Sequence, residues 1–308
     1  MDSTAKQALN ETIIKITGAY APATIRAYKR DFENFIDYCS ELDLPCLPSS
    51  SDTVAHYIDK LSDSKHSSAY IRRILAGIST IHKLNYLSDP TSHPEVKLAM
   101  RRMHRKLGRF AHQADGVNRE LLEKLIKTTD NSLIGKRDRA LLLLAYDTLG
   151  RRSELTSLRL EDIQLNNNGA TILLRKSKTD QDAQGKWLNI SQQTYNEITT
   201  WINSADIRYG YIIRGIRKGN VVTDHLEPGQ ISRILKRLCK KAGLNESQIK
   251  NISGHSMRVG AAQDLLLAGA SLPMIMAKGR WSKTDTVMRY IENTAGLGFD
   301  QRFQMAGY

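Results

Sequence analysis

Residues 253–262 read SGHSMRVGAA, and the architecture follows from this stretch and the residues that accompany it. With Ser253 as a cap, a helix carries His255 and Arg258, three residues apart, on one face near its N-terminus. An imidazole, a guanidinium and the positive end of a helix then converge on one point, which suits a phosphate. An isolated H-x-x-R is a weak signal, so the company it keeps carries the argument. Upstream, TLGRRSEL (residues 148–155) places Arg151 three before Glu154 at the start of a helix, where the carboxylate can orient neighbouring groups. Arg152 is the adjacent alternative, and Arg151 is favoured for its spacing to Glu154. Between these segments, ATILLRKSKT (170–179) and KWLNI (186–190) read as an antiparallel strand pair around a polar turn. Lys178 stands at the end of the first strand, where a hairpin can project it over a ligand; Lys176 is its near rival. Downstream, Trp281 closes G-R-W, and nine residues later Tyr290 lies in TVMRYIEN (286–293).

Outward from this core, residues 1–107 read as helical throughout. Pro22 opens a segment with Ile25, Tyr28, Phe32, Phe35 and Ile36 on one face, and a short helix ends at Leu61. Ser67 or Ser68 caps a helix carrying Ile71, Ile74, Leu75, Ile78 and Ile81, and Pro94 opens a fourth with Val96, Met100, Met103 and Leu107 inward. Residues 108–118, GRFAHQADGVN, read as an interdomain linker. Beyond them the spacing predicts helices over 119–128, 136–149, 191–204, 228–243, 254–268, 271–279 and 283–293. The expected architecture is mainly α: an N-terminal helical bundle, then an α+β domain over 119–308 with a small antiparallel sheet.

The 308 residues carry 45 Lys+Arg against 32 Asp+Glu, a net charge of +13 that favours a polyanionic partner through counterion release. Six Lys/Arg and no acid fall between Lys97 and Arg109, and no acid falls between Gln230 and Lys241. Such uncompensated faces repel themselves unless an anion lies against them, which points to DNA. Arg72, Arg73, Lys83, Arg101, Arg102, Arg105 and Lys106 are the candidates on the N-terminal side, and Gln230, Arg233, Lys236 and Arg237 on the C-terminal side. The forks of Gln230 and Arg233 match adenine and guanine edges. Cys39, Cys46 and Cys239 form an odd set without metal-type spacing, no Walker motif or carboxylate cluster occurs, and the longest apolar run, Ala140 to Tyr146, is too short for a bilayer. These features predict a cytoplasmic protein with no cofactor, no metal and no membrane partner.

The ordered set R-x-x-E, hairpin Lys, H-x-x-R, Trp and a late Tyr resembles the tyrosine recombinase (phage integrase) family, in segments that span most of the chain. The resemblance implies a SAM-like core-binding domain followed by the tyrosine recombinase catalytic fold. It implies that Arg151 and Arg258 are the catalytic arginines, Lys178 the hairpin lysine, His255 the central histidine, Trp281 the His-or-Trp position and Tyr290 the nucleophile. The family's chemistry suits these residue types. A phosphodiester repels nucleophiles, and two guanidiniums with an indole N–H stabilise the pentacoordinate transition state, each such donor contributing about 3–4 kcal/mol. A tyrosine of ordinary pKa near 10 is phenolate in only about one molecule in a thousand at pH 7. His255 is therefore the candidate proton acceptor, and Lys178 the donor to the departing 5′-oxygen. The resemblance further implies double-stranded DNA with inverted-repeat sites as partner. It implies a dimer on one site, a tetramer on two, and a C-terminal segment donated to a neighbour through Phe299, Phe303 and Met305. A type IB topoisomerase would share the chemistry but lacks the recombinase-like segments.

Overall fold

Serines and prolines start the helices of the N-terminal unit. The Ser50 hydroxyl accepts from the Thr53 N–H and the Ser67 hydroxyl from the Tyr70 N–H, while Pro22 and Pro94 occupy first turns, where no N–H is needed. The computed structural model describes residues 2–64, 66–109, 113–167, 169–177 and 185–292. Two units divide the chain, Met1–His112 and Gln113–Tyr308.

The first unit comprises α1 (Asp2–Ile16), α2 (Pro22–Glu41), α3 (Ser51–Asp63), α4 (Ser68–Leu84) and α5 (Pro94–Leu107). Its core holds Phe32, Phe35, Ile36, Ile58, Ile71, Ile74, Ile78, Ile81, Val96 and Met103, nearly all fully buried. Each such side chain contributes about 1.5–3 kcal/mol of burial. Helix α1 precedes the four helices read from the spacing, and only Ala5 and Leu9 of its first three turns join the core, too sparse a stripe to stand out.

In the second unit α6 (Arg119–Lys127) and α7 (Leu133–Thr148) lead to a short α8 (Arg152–Leu155). A three-stranded antiparallel sheet follows, β1 (Ile163–Asn166), β2 (Gly169–Leu174) and β3 (Lys186–Ser191), in the order β1-β2-β3. Then come α9 (Gln192–Ser204), the hairpin β4 (Ile216–Arg217) and β5 (Val221–Val222), α10 (Pro228–Lys241), α11 (Glu246–Asn251), α12 (Ser256–Leu267) and α13 (Leu272–Gly279). A last helix, α14, covers residues 284–292. The expected strand pair is thus one strand short. Strand β1 is a four-residue edge with three exposed residues, and the alternation of Ile163-Gln164-Leu165-Asn166 is too short to stand out. The expected first strand stops at Leu174 rather than Thr179 among the described residues.

Helix α7 is the axis of this unit, packing against α9, α12 and β3, with Ala140 to Ala145 all buried. A helix buried on every side reads as an apolar run without period, and here it supplies the rigid base on which the site is mounted. A smaller cluster, Leu149, Ala261, Ala262, Ile275, Trp281, Val287 and Ile291, joins the end of α7 to α12, α13 and α14. No helix among the described residues is long and apolar enough to cross a membrane.

Candidate active site

Three chain turns converge at that smaller cluster. Helix α7 ends at Leu149, whose φ of 48° is left-handed, and Gly150 then packs under Leu155 with no room for a Cβ. The reversal delivers Arg151 as the residue that caps α8. Its backbone N–H donates to Glu154 Oε2 at 2.9 Å and its Nη1 to Oε1 at 2.6 Å. Arg152 turns the other way, donating to Ser232 Oγ at 3.3 Å and lying across Gly254, where a Cβ would collide with it. Of the two arginines, Arg151 lines the cavity described below and Arg152 does not.

The second turn is at the start of α12. The helix begins at Ser256 with His255 at the cap position, two residues later than a Ser253 cap would place it. Ser253 instead accepts the His255 N–H through its hydroxyl at 3.1 Å and donates its own N–H to Ser256 Oγ at 2.9 Å, a local turn that competes with capping. Arg258, one turn in, is 2% exposed. Its Nη1 donates to Leu149 O at 2.6 Å and its Nη2 to Gly279 O, and its guanidinium lies 4.1 Å from the centroid of the Trp281 ring. Burial first, then repulsion from Arg151 and Arg280, lowers its pKa to about 9, which still leaves it charged at pH 7.

The third turn follows α13. A Cβ on Gly279 would collide with the Trp281 ring, so glycine is required there for the indole to fold back. Trp281 is 8% exposed, and its ring centroid is 5.7 Å from that of Tyr290 on α14, at an interplanar angle of 59°. Gln263 Nε2 donates to the Tyr290 carbonyl at 3.0 Å, tying α14 to α12.

Arg151, His255, Arg258, Arg280, Trp281, Ser282, Lys283, Thr286 and Tyr290 line one cavity of about 330 Å³. Five of the six residues singled out by sequence are in it; the sixth, Lys178, and the expected C-terminal anchors Phe299, Phe303 and Met305 lie outside the described residues. Its rival Lys176 is described and exposed. Glu154 lies beneath, 2% exposed. Burial opposes its ionisation, but Arg280, then the Arg151 N–H and guanidinium, outweigh burial and hold the carboxyl below its usual range. Arg280 was missed in the sequence. Its one signal is its place just after a helix, in the left-handed conformation where glycine is the ordinary occupant.

The reading of the basic helices as uncompensated is corrected by the structure. Arg102 pairs with Asp59 at 2.8 Å and Lys106 with Asp63, both acids standing on α3 rather than within the basic run. Lys83 pairs with Asp89 at 3.0 Å. Arg73 clasps the buried Asp31 through two bonds of 2.7 and 2.9 Å, and Arg237 reaches the buried Asp138. Acids supplied by neighbouring helices are invisible in a run of sequence. Arg72, Arg101, Arg105, Gln230 and Arg233 stand exposed, and Lys236, half-buried, reaches the Lys250 carbonyl at 3.5 Å.

The profile of the phage integrase family matches residues 117–296. A XerD homologue, described as an integrase/recombinase, of Selenomonas ruminantium is 31% identical over 283 residues, 88% of this chain and 82% of its own length. The recombinase Cre of Escherichia phage P1 is 27% identical over 263 residues, 80% of this chain and 77% of its own; residues 253–262 and 287–291 also resemble Cre segments. Among solved structures, the XerH site-specific recombinase bound to a palindromic difH substrate superposes with a TM-score of 0.69 at 15% identity, covering 99% of this chain and 84% of that one. A lambda integrase dimer bound to a core site gives 0.60 at 14% identity, covering 92% and 76%. These structural likenesses speak to the fold, which is the tyrosine recombinase fold. Mostly helical, with a small antiparallel sheet and matched by the family profile over more than half its length, the chain belongs to the phage integrase family, the tyrosine recombinases.

Proposed function

We propose that the protein breaks and rejoins DNA through a 3′-phosphotyrosine at Tyr290, exchanging strands between two inverted-repeat sites as a Cre-like recombinase. The observation that carries this reading is the one cavity shared by Tyr290, Arg151, Arg258 and Trp281 within a single chain. The Tyr290 phenol oxygen attacks phosphorus, forming the P–O(Tyr) bond as the P–O5′ bond breaks. His255 takes the phenol proton, and the 5′-oxygen receives a proton from Lys178. Arg151 and Arg258 neutralise the non-bridging oxygens, whose charge grows in the transition state, and Trp281 adds a neutral donor. A 5′-hydroxyl of another strand then attacks the phosphotyrosine, restoring the diester and the phenol. The diester's energy is conserved in the intermediate, so the cycle balances without ATP.

In this reading residues 1–107 form a core-binding domain, 108–118 a linker and 119–308 the catalytic domain. The exposed Arg72, Arg101, Arg105, Gln230 and Arg233 meet double-stranded DNA, Gln230 and Arg233 at base edges and the others at phosphates. Two protomers occupy one site and four occupy two sites, with residues 295–308 passed to a neighbour. Weighing the protein on captured DNA, with and without those residues, tests the exchange, and an unchanged tetramer overturns it.

Covalent capture tests the chemistry. The protein is incubated with a randomised duplex library built around inverted repeats and a short nicked spacer, and DNA that resists detergent stripping is sequenced. Wild type is expected to retain a family of duplexes and Tyr290→Phe none. Equal capture by the Phe variant, or no adduct from wild type, overturns the proposal.

A further inference from the structure

Arg280 is the third guanidinium of the cavity, and nothing in the reaction just described uses it. Its backbone is left-handed, φ 56° and ψ 48°, immediately after α13. A side chain there costs about 1–2 kcal/mol relative to right-handed backbone, as it does at Leu149 after α7. Its side chain is 9% exposed, and its Nε is buried with no hydrogen-bond partner among the described residues. Strain and an unsatisfied donor are both tolerated, so the other end of the side chain must return the cost.

That end makes a particular set of bonds. Nη2 donates to Glu154 Oε2 at 2.8 Å, the carboxylate that also accepts Arg151 Nη1 on Oε1. Nη2 also reaches Leu149 O at 3.4 Å, the carbonyl that accepts Arg258 Nη1. Nη1 donates to Thr148 O at 3.0 Å, the preceding carbonyl at the end of α7. Arg280 therefore shares one acceptor with each of the two arginines proposed to grip the phosphate. The planar guanidinium fixes the carboxylate that aims Arg151 and the helix end against which Arg258 leans.

We infer that Arg280 is a positioning residue for strand cleavage, setting the Arg151 and Arg258 guanidiniums relative to one another through Glu154 and the Leu149 carbonyl. The inference rests on the reading of Arg151 and Arg258 as phosphate ligands. The charged groups that act on Glu154 are Arg151 at the cap of α8, Arg258 on α12 and Arg280 after α13; His255, Lys283 and Tyr290 line the cavity that these arginines share. The Arg280 charge, together with the N–H, the side-chain bond and the charge of Arg151, holds the buried carboxyl ionised against burial.

Two measurements on the full chain test it, using wild type, Arg280→Met, Glu154→Gln and the double variant. The first is denaturant stability of the DNA-free protein from neutral to acid pH. Glu154 has a lowered folded pKa, so its ionic contribution is present above the ordinary carboxyl value of 4.5 and lost as pH falls through the folded value. The loss caused by Arg280→Met is expected to be largest above 4.5, to shrink on acidification, and to be independent of pH in the Glu154→Gln background. A loss constant with pH and equal in both backgrounds marks mere packing and overturns the inference. Should Arg280→Met fail to fold, the double variant, which removes the buried charge left with Arg151 alone, is expected to fold; a double variant equally unfolded also overturns it.

The second is single-turnover cleavage of a captured duplex. Arg280→Met is expected to lower the rate about 100-fold, the cost of a small misplacement, with duplex affinity little changed. In the Glu154→Gln background it is expected to lower the rate little further. Equal losses in both backgrounds would mean that Arg280 touches phosphate itself, which overturns the positioning role. Should wild type capture no duplex, the proposed function fails, while the stability measurement still reads the Arg280–Glu154 coupling.

Discussion

The Arg258 guanidinium is stacked on the Trp281 ring at 4.1 Å from its centroid and anchored to the Leu149 carbonyl at 2.6 Å. Its charge is held by a π face and carbonyl dipoles, leaving its attraction for an incoming anion unspent on any carboxylate in direct contact among the described residues.

Trp281 consequently has two separable contributions, the face that supports Arg258 and the indole N–H. Trp281→Phe keeps a face and removes the donor. Its thermal unfolding is expected to shift little, while cleavage of a captured duplex falls about 100-fold, the typical cost of one transition-state donor. Trp281→Ala removes the face as well and is expected to destabilise the fold by about 3–5 kcal/mol. A Phe variant as active as wild type would remove the N–H from the mechanism.

The arginines of the N-terminal unit fall into two groups that mutation should separate. Arg105 is exposed on α5, and Arg105→Ala is expected to reduce the salt slope of binding to a non-cognate duplex by about 1 without altering stability. Arg73→Met strands the buried Asp31 carboxylate and is expected to cost about 1–3 kcal/mol of stability. That figure is below the range for a fully buried pair because the Arg73 side chain is 45% exposed. Fluorescence anisotropy against salt and urea unfolding read the two effects; a stability loss for Arg105→Ala would contradict the division.

His82 gives the first unit a pH dependence of its own. It is fully buried beside Phe32, accepts the Ser49 N–H on Nε2 at 3.0 Å and bonds the Ile78 carbonyl through Nδ1 at 2.8 Å. Only a neutral ring makes both bonds, with the proton on Nδ1. Burial lowers its pKa, against the pull of the Ile78 carbonyl and Asp89. The unfolded chain therefore binds more protons as pH falls through the ordinary value of 6.5, and stability should decline from there downward. Amide exchange in α4 of the full chain, taken relative to the intrinsic rate at each pH, is expected to accelerate on acidification below 6.5 in wild type and to lose that dependence in His82→Gln. The same acceleration in the variant would assign it to other groups.

Much of this molecule was legible in the chain. The helix starts at Pro22, at Ser67 or Ser68, and at Pro94, and the stripes of α2, α4 and α5, are local patterns, set by steric limits on φ and by a period of 3.6 residues; the structure makes Ser67 the cap. Strand β1 and the two-residue strands β4 and β5 were not, because each is short or exposed and exists through pairing with residues already placed, and α11 was not, because its six residues include none that is buried and so show no apolar stripe. At the site, Arg151, His255, Arg258, Trp281 and Tyr290, singled out by type, order and family resemblance, line one cavity, whereas Arg280 sat unremarked beside Trp281.

By itself the sequence determined which groups with phosphate chemistry exist, in what order, and which of them share a helical turn. Tertiary structure decided which are available: Arg151 rather than Arg152 toward the cavity, Arg73 and Arg237 committed to buried acids, Arg280 joined to Glu154 across 126 residues. The physical reason is range. Spacing along a helix governs neighbours three or four residues apart, but the partner of a charge is whatever packing brings within a few ångströms. For Glu154 and Leu149, that partner comes from the far end of the fold.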